Sequence, residues 1–88
     1  MIINLSPRFN RAYKKLPKGI KIDFNERIAI FANNPRAPKL RVHKLKGKLQ
    51  SCTAFYLKDG YRVLFEFVDA NTANLLAVGP HDQYNKWN

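Results

Sequence analysis

The sequence has a single cysteine, only six acidic residues against sixteen basic ones, and no apolar run approaching the length of a membrane span. Each shortage excludes a class of protein. One thiol, Cys52, cannot close an internal disulfide, and with His43 and His81 the only histidines a structural zinc site is not expected. Cys52 is expected to be a small buried hydrophobe. No membrane-spanning helix is expected, because that needs about 20 consecutive apolar residues. Met1 to Leu5 lack the basic segment, apolar stretch and small-residue cleavage site of a secretory signal, so the expected location is the reducing cytoplasm. There is no internal repeat and no low-complexity tract.

The shortage of acids has the largest consequence. A formal charge of +10 on 88 residues opposes compaction unless a polyanion relieves it. The expected partner is therefore acidic: nucleic acid first, an acidic protein second. An anionic membrane ranks third, since no long amphipathic basic helix or lipidation signal is present. Apolar residues, 45% of the chain, supply enough surface for one hydrophobic core, and the length suits one domain spanning residues 1–88.

Ile2, Ile3 and Leu5 suggest a short first strand, and Ser6-Pro7 reads as an N-cap followed by proline in the first helical turn. Phe9, Ala12, Tyr13 and Leu16 then fall at i, i+3, i+4 and i+7, an apolar stripe ended by Pro17 and Gly19. A second stripe, Ile20, Phe24, Ile28 and Phe31, predicts another helix, stopped by Asn33-Asn34-Pro35. Pro35 to Lys48 reads as a basic loop with extended pieces around Leu40 to Leu45. Cys52 to Lys58 and Tyr61 to Val68 are rich in aromatic and β-branched residues, and Asp59-Gly60 between them signals a two-residue hairpin turn. After a turn at Asp69 to Thr72, Ala73 to Val78 reads as a buried strand broken by Gly79-Pro80. The expected architecture is α+β: a helical hairpin on one face of an antiparallel sheet, with the first strand added at the edge.

Between Glu26 and Asp59 no residue is acidic, while Arg36, Lys39, Arg41, Lys44, Lys46 and Lys48 crowd into the loop. Such a run is either a solvated surface or a trough for a phosphate backbone; the missing acids favour the trough. Strand alternation sets Tyr61, Val63, Phe65 and Phe67 on one face, expected to pack on the helices, and Arg62, Leu64 and Glu66 on the other. Arg62 either pairs with Glu66 or a neighbouring strand, or grips a phosphate and stabilises charge developing in a transition state.

His81 follows the Gly79-Pro80 break, and His43 lies inside the basic loop. Each taken alone reads as an exposed histidine. Taken together with the cations, they gain meaning. Cleavage of RNA without a metal needs a base for the 2′-hydroxyl proton, an acid for the leaving 5′ oxygen, and cations on the pentavalent phosphate. His43, His81, Arg62 and the loop lysines include every required type. Tyr84 and Trp87 either stack on an unpaired base or anchor the tail to the core.

His43-Lys44-Leu45-Lys46-Gly47, then Gly60-Tyr61-Arg62-Val63-Leu64-Phe65, then Val78-Gly79-Pro80-His81-Asp82 with Tyr84, succeed one another at intervals that resemble the RelE/ParE toxin superfamily. The resemblance covers essentially the whole chain. It implies a RelE-like fold and, in the RelE and YafQ branches, ribosome-dependent cleavage of messenger RNA without metal or other cofactor. By the same resemblance, Arg62 matches the strand arginine of the RelE branch. His81 falls where YafQ-like members carry their main catalytic histidine, and His43 matches their loop histidine.

There are departures from both branches. Ala54 and Tyr56 stand where RelE places strand lysines, and His81 stands in place of its later arginine. Tyr56 also replaces a strand histidine of the YafQ-like branch, and Gly60 its aspartate. The assignment implied is that His81 and His43 share proton transfer, Arg62 and Lys46 steady the phosphate, and Tyr84 holds a nucleotide. Lys39, Arg41, Lys44, Lys48 and Trp87 are expected to bind substrate. Which histidine is base and which acid stays open. The expected partners are mRNA on the ribosome and an acidic, partly disordered antitoxin, the toxin alone being a monomer. Two other readings compete: a ParE-like poison of DNA gyrase that catalyses nothing, and a harmless RNA-binding domain.

Overall fold

Ser6 begins the first helix in the way its position suggests. Its hydroxyl accepts from the Phe9 N–H at 3.0 Å, satisfying one of the orphan donors of the first turn, and Pro7 occupies a position where a missing N–H costs nothing. The same hydroxyl donates to the Leu76 carbonyl at 3.1 Å, so the cap also fastens the helix to the sheet. In the computed structural model, which describes residues 1–44 and 53–80, the elements run β1 (Ile2–Leu5), α1 (Pro7–Lys14), α2 (Lys18–Asn33), β2 (His43–Lys44), β3 (Thr53–Tyr56), β4 (Tyr61–Asp69) and β5 (Thr72–Pro80). A 3-10 turn at Pro38–Leu40 precedes β2.

The five strands form one sheet in the order β1-β5-β4-β3-β2. β3, β4 and β5 are the expected antiparallel meander. The sheet as a whole is mixed, because β1 joins the edge of β5 in parallel, from Ile2 beside Thr72 to Leu5 beside Leu75. Residue alternation is the same for both directions, so only the partner reveals it. β2 extends the opposite edge, with His43 beside Ala54.

Both helices cover one face of this sheet. α1 ends at Lys14, earlier than its stripe suggests, yet Leu16 in the following turn is still buried. Phe9, Ile20, Phe24 and Phe31 meet Phe55, Leu57, Val63, Phe65, Leu75 and Val78 in the core. Aromatic contacts dominate: the Phe31 ring lies 4.8 Å from that of Phe65 and 5.2 Å from that of Phe55, and Phe9 lies 5.4 Å from Phe24. Phe67 points the same way and touches Phe31 and Phe65, but it is 44% exposed because it lies near the end of β4. The expectation for Cys52 lies outside the described residues.

Two irregularities set the faces. The register passes from Leu64 beside Ala77 to Phe65 beside Leu75, leaving Leu76 as an extra residue on β5, and it is this bulge whose carbonyl Ser6 holds. The hairpin connection is one residue longer than the expected two. The Leu57 N–H donates to the Tyr61 carbonyl at 2.7 Å, so Lys58, Asp59 and Gly60 lie outside the ladder. Asp59 and Gly60 both take positive φ, 58° and 77°, as the Asp-Gly signal requires. A two-residue turn would set Tyr56 opposite Val63 and send it to the core. The longer connection pairs Tyr56 with Arg62 and turns both away from the helices.

Candidate active site

The face of the sheet away from the helices has a floor of small and aliphatic side chains, Ala54, Leu64 and Ala77, all buried. At one end of it stands Tyr56. The Arg41 guanidinium lies over its ring at 4.1 Å and that of Arg62 at 4.8 Å. The His43 imidazole stacks on the same ring with centroids 5.1 Å apart and planes 22° from parallel. Three nitrogen-rich side chains from three segments, the loop end, β2 and β4, are thus gathered on one aromatic platform. Each cation–π contact contributes about 0.5–1 kcal/mol, enough to orient a side chain without burying its charge.

Arg41 reaches the platform from a left-handed backbone, φ 50° and ψ 49°, immediately after the Pro38–Leu40 turn. That conformation costs a non-glycine residue about 1 kcal/mol or more; it ends the Pro38–Leu40 turn as a left-handed cap, with the Arg41 guanidinium over the Tyr56 ring. The Arg41 carbonyl meets His43 Nδ1 at 3.2 Å. A carbonyl can only accept, so Nδ1 carries the proton and donates, and a neutral imidazole then keeps its lone pair on Nε2. His43 is half-buried. In the neutral ring, this contact selects the tautomer whose lone pair is on Nε2. Arg62 is also half-buried, with its Nε out of contact with solvent, and its planar fork suits bidentate grip of a phosphate.

The segment that brings Arg41 and His43 to the platform is anchored from the other side of the sheet. Asp23 of α2 accepts from Arg27 Nε at 2.9 Å and from the Lys58 backbone N–H at 2.8 Å, and Arg27 donates onward to the Lys39 carbonyl at 3.0 Å. One carboxylate thus ties both the start of the basic segment and the β3–β4 turn to α2.

Of the residues expected from sequence, His43, Arg41 and Arg62 come together. Lys39 is exposed in the 3-10 turn, where its carbonyl serves as an anchor, and Lys44 is exposed on β2 beside Thr53. Lys46, Lys48, His81, Tyr84 and Trp87 lie outside the described residues. The alternative partner for Arg62, Glu66, sits opposite Asn74 further along β4. Sequence reasoning missed Tyr56 as the centre of the cluster and the Asp23–Arg27 anchor. The signal for Tyr56 was that it departs from the family pattern at its position; the assumed two-residue turn hid the face on which it lies.

Neither a protein-family model nor a curated protein matches the chain. Solved structures do. YafQ from E. coli strain BL21(DE3) aligns with a TM-score of 0.78 at 13% identity, over 93% of this chain and 94% of that one. A RelB–RelE antitoxin–toxin complex from Methanococcus jannaschii gives 0.75 at 19% identity over 96% of each chain. A YoeB/ParE toxin from Agrobacterium tumefaciens gives 0.75 at 13% identity, covering 92% of this chain and 99% of that one. At such identities the likeness is one of fold, and it extends over nearly the whole of each chain. The fold of this protein is accordingly the RelE-like fold shared by the toxins of the RelE/ParE superfamily.

Proposed function

We propose that the protein is the toxin of a toxin–antitoxin pair and that it cuts messenger RNA on the ribosome, without a metal, at the face of the sheet that carries Tyr56. The observation that supports this most is the convergence of Arg41, His43 and Arg62 on one ring. A base with a defined tautomer beside two guanidinium groups is what in-line attack by a 2′-hydroxyl on its own phosphate requires. His43 and His81 divide the proton transfers, Arg62 and Lys46 neutralise the pentavalent phosphate, and Tyr84 holds a nucleotide. Lys39, Arg41, Lys44, Lys48 and Trp87 bind the strand. By the resemblance Tyr56 stands where a further cation or histidine would be, and its contacts with Arg41, His43 and Arg62 support a role in holding those groups in position.

The antitoxin is an acidic segment that folds along the basic surface. Support comes from the charge of +10 and from the likeness to a toxin that was solved with its antitoxin. The test is expression of the chain without antitoxin in bacteria, following mRNA integrity and plasmid supercoiling in the same cells. Growth arrest, truncated mRNA and unchanged supercoiling are expected, with arrest lost in Arg62→Ala. Relaxed plasmid with intact mRNA would move the protein to the gyrase-poison reading.

A further inference from the structure

α1 carries a cation where helix stability would place an acid. Arg8 lies in the first turn, which holds no acidic residue, although the partial positive charge of a helix N-terminus favours carboxylates there. Arg8, Arg11 and Lys15 follow at i, i+3 and i+7, so they project from one side. That side opens on a cleft of about 410 Å³ whose opposite wall is Tyr61 and the Gly79-Pro80 end of β5. All three cations are exposed, and no carboxylate is among the described residues that line the cleft.

Its place in the sheet points to the occupant. Gly79 is the register partner of Arg62, and Pro80 that of Tyr61. The cleft therefore lies at the same end of β4 and β5 as Arg62 but toward the helices, with Tyr61 and Arg62 adjacent in the chain and on opposite faces, so a strand held at Arg62 reaches α1 by passing around that end of the sheet. Helix residues three or four apart are separated by about 5–6 Å, a repeat of positive charge suited to successive phosphates. Tyr61 adds an aromatic wall for an unpaired base.

We propose that Arg8, Arg11 and Lys15, with Tyr61, form a second binding site for the backbone of single-stranded nucleic acid, at the same end of the sheet as Arg62 and distinct from the basic loop. The inference rests on reading the Tyr56 face as an RNA site, and the test separates the two. Anisotropy is measured with a labelled single-stranded 2′-O-methyl RNA, which lacks the free hydroxyl that cleavage needs, over a range of salt. The probe is titrated with the full chain, with the triple variant Arg8→Gln, Arg11→Gln, Lys15→Gln, and with Arg62→Ala.

The triple variant should bind about tenfold or more weakly, and its slope of log affinity against log salt should be shallower by about 2, at roughly 0.7 for each phosphate no longer neutralised. Unchanged affinity and slope would overturn the proposal. So would a triple variant that binds RNA normally but no longer holds an oligoglutamate peptide bound by the parent, because the cleft would then be a protein site. A parent that binds RNA through these cations yet cuts no mRNA would sink the proposed function and leave this inference standing. Circular dichroism melts of the triple variant should match the parent, since all three side chains are exposed.

Discussion

Tyr56 occupies a position where superfamily relatives are expected to carry a lysine or a histidine, and its ring changes what that position does. A cation there would repel Arg41 and Arg62, whereas the face of a phenol attracts both. Removing the ring should scatter the cluster: Tyr56→Leu is expected to lower mRNA cleavage at least about tenfold, the loss from misplaced catalytic groups. Tyr56→Phe should keep most of the activity, because the stacking needs only the ring; if the phenylalanine variant is as impaired as the leucine one, the hydroxyl is a reacting group. Arg41 offers the complementary experiment. Glycine relieves its left-handed backbone but removes the guanidinium and adds unfolded-state freedom, so Arg41→Gly should alter stability by less than about 1 kcal/mol. Urea unfolding would show that near-neutrality, while cleavage by the same variant falls.

At the scale of elements, the site depends on how the segment after α2 is held. Asp23 receives two hydrogen bonds on one oxygen, one from the Arg27 side chain and one from the Lys58 backbone, and its side chain is only 14% exposed. Asp23→Ala should destabilise the fold by about 1.5–3 kcal/mol, the range for hydrogen bonds to a charged group. Denaturant titration measures that cost. Cleavage should drop further than the unfolded fraction explains, since Arg27 then loses its brace on the Lys39 carbonyl.

The Asp23–Arg27 pair is an i,i+4 contact on α2, but what it anchors was invisible in the sequence because the Lys39 carbonyl and the Lys58 N–H lie 12 and 35 residues from their partners, whereas the Ser6-Pro7 cap and both helical stripes were legible because they are local. The Asp59-Gly60 turn stands between the two cases. Its residues announced positive φ, but not that Lys58 would also leave the ladder, and that single residue decided the face on which Tyr56 lies. The direction of β1 was equally unreadable, since its alternation fits either pairing. Arg62, by contrast, was placed correctly from alternation within β4 alone.

For the whole molecule, charge is the governing quantity. With sixteen cations against six anions, association with RNA or with an acidic antitoxin should be strongly salt-dependent. Titration calorimetry of the antitoxin at rising ionic strength should show affinity falling steadily; salt-insensitive binding would mean that apolar contacts hold the pair. The central claim, cleavage at the Tyr56 face, is tested most directly by primer extension on a reporter mRNA in a cell-free translation reaction. Parent protein is compared with Arg62→Ala and His81→Ala. Discrete new 5′ ends are predicted with the parent, and they should disappear with both variants. Ends that persist unchanged in both variants, or intact mRNA with the parent, would contradict the claim.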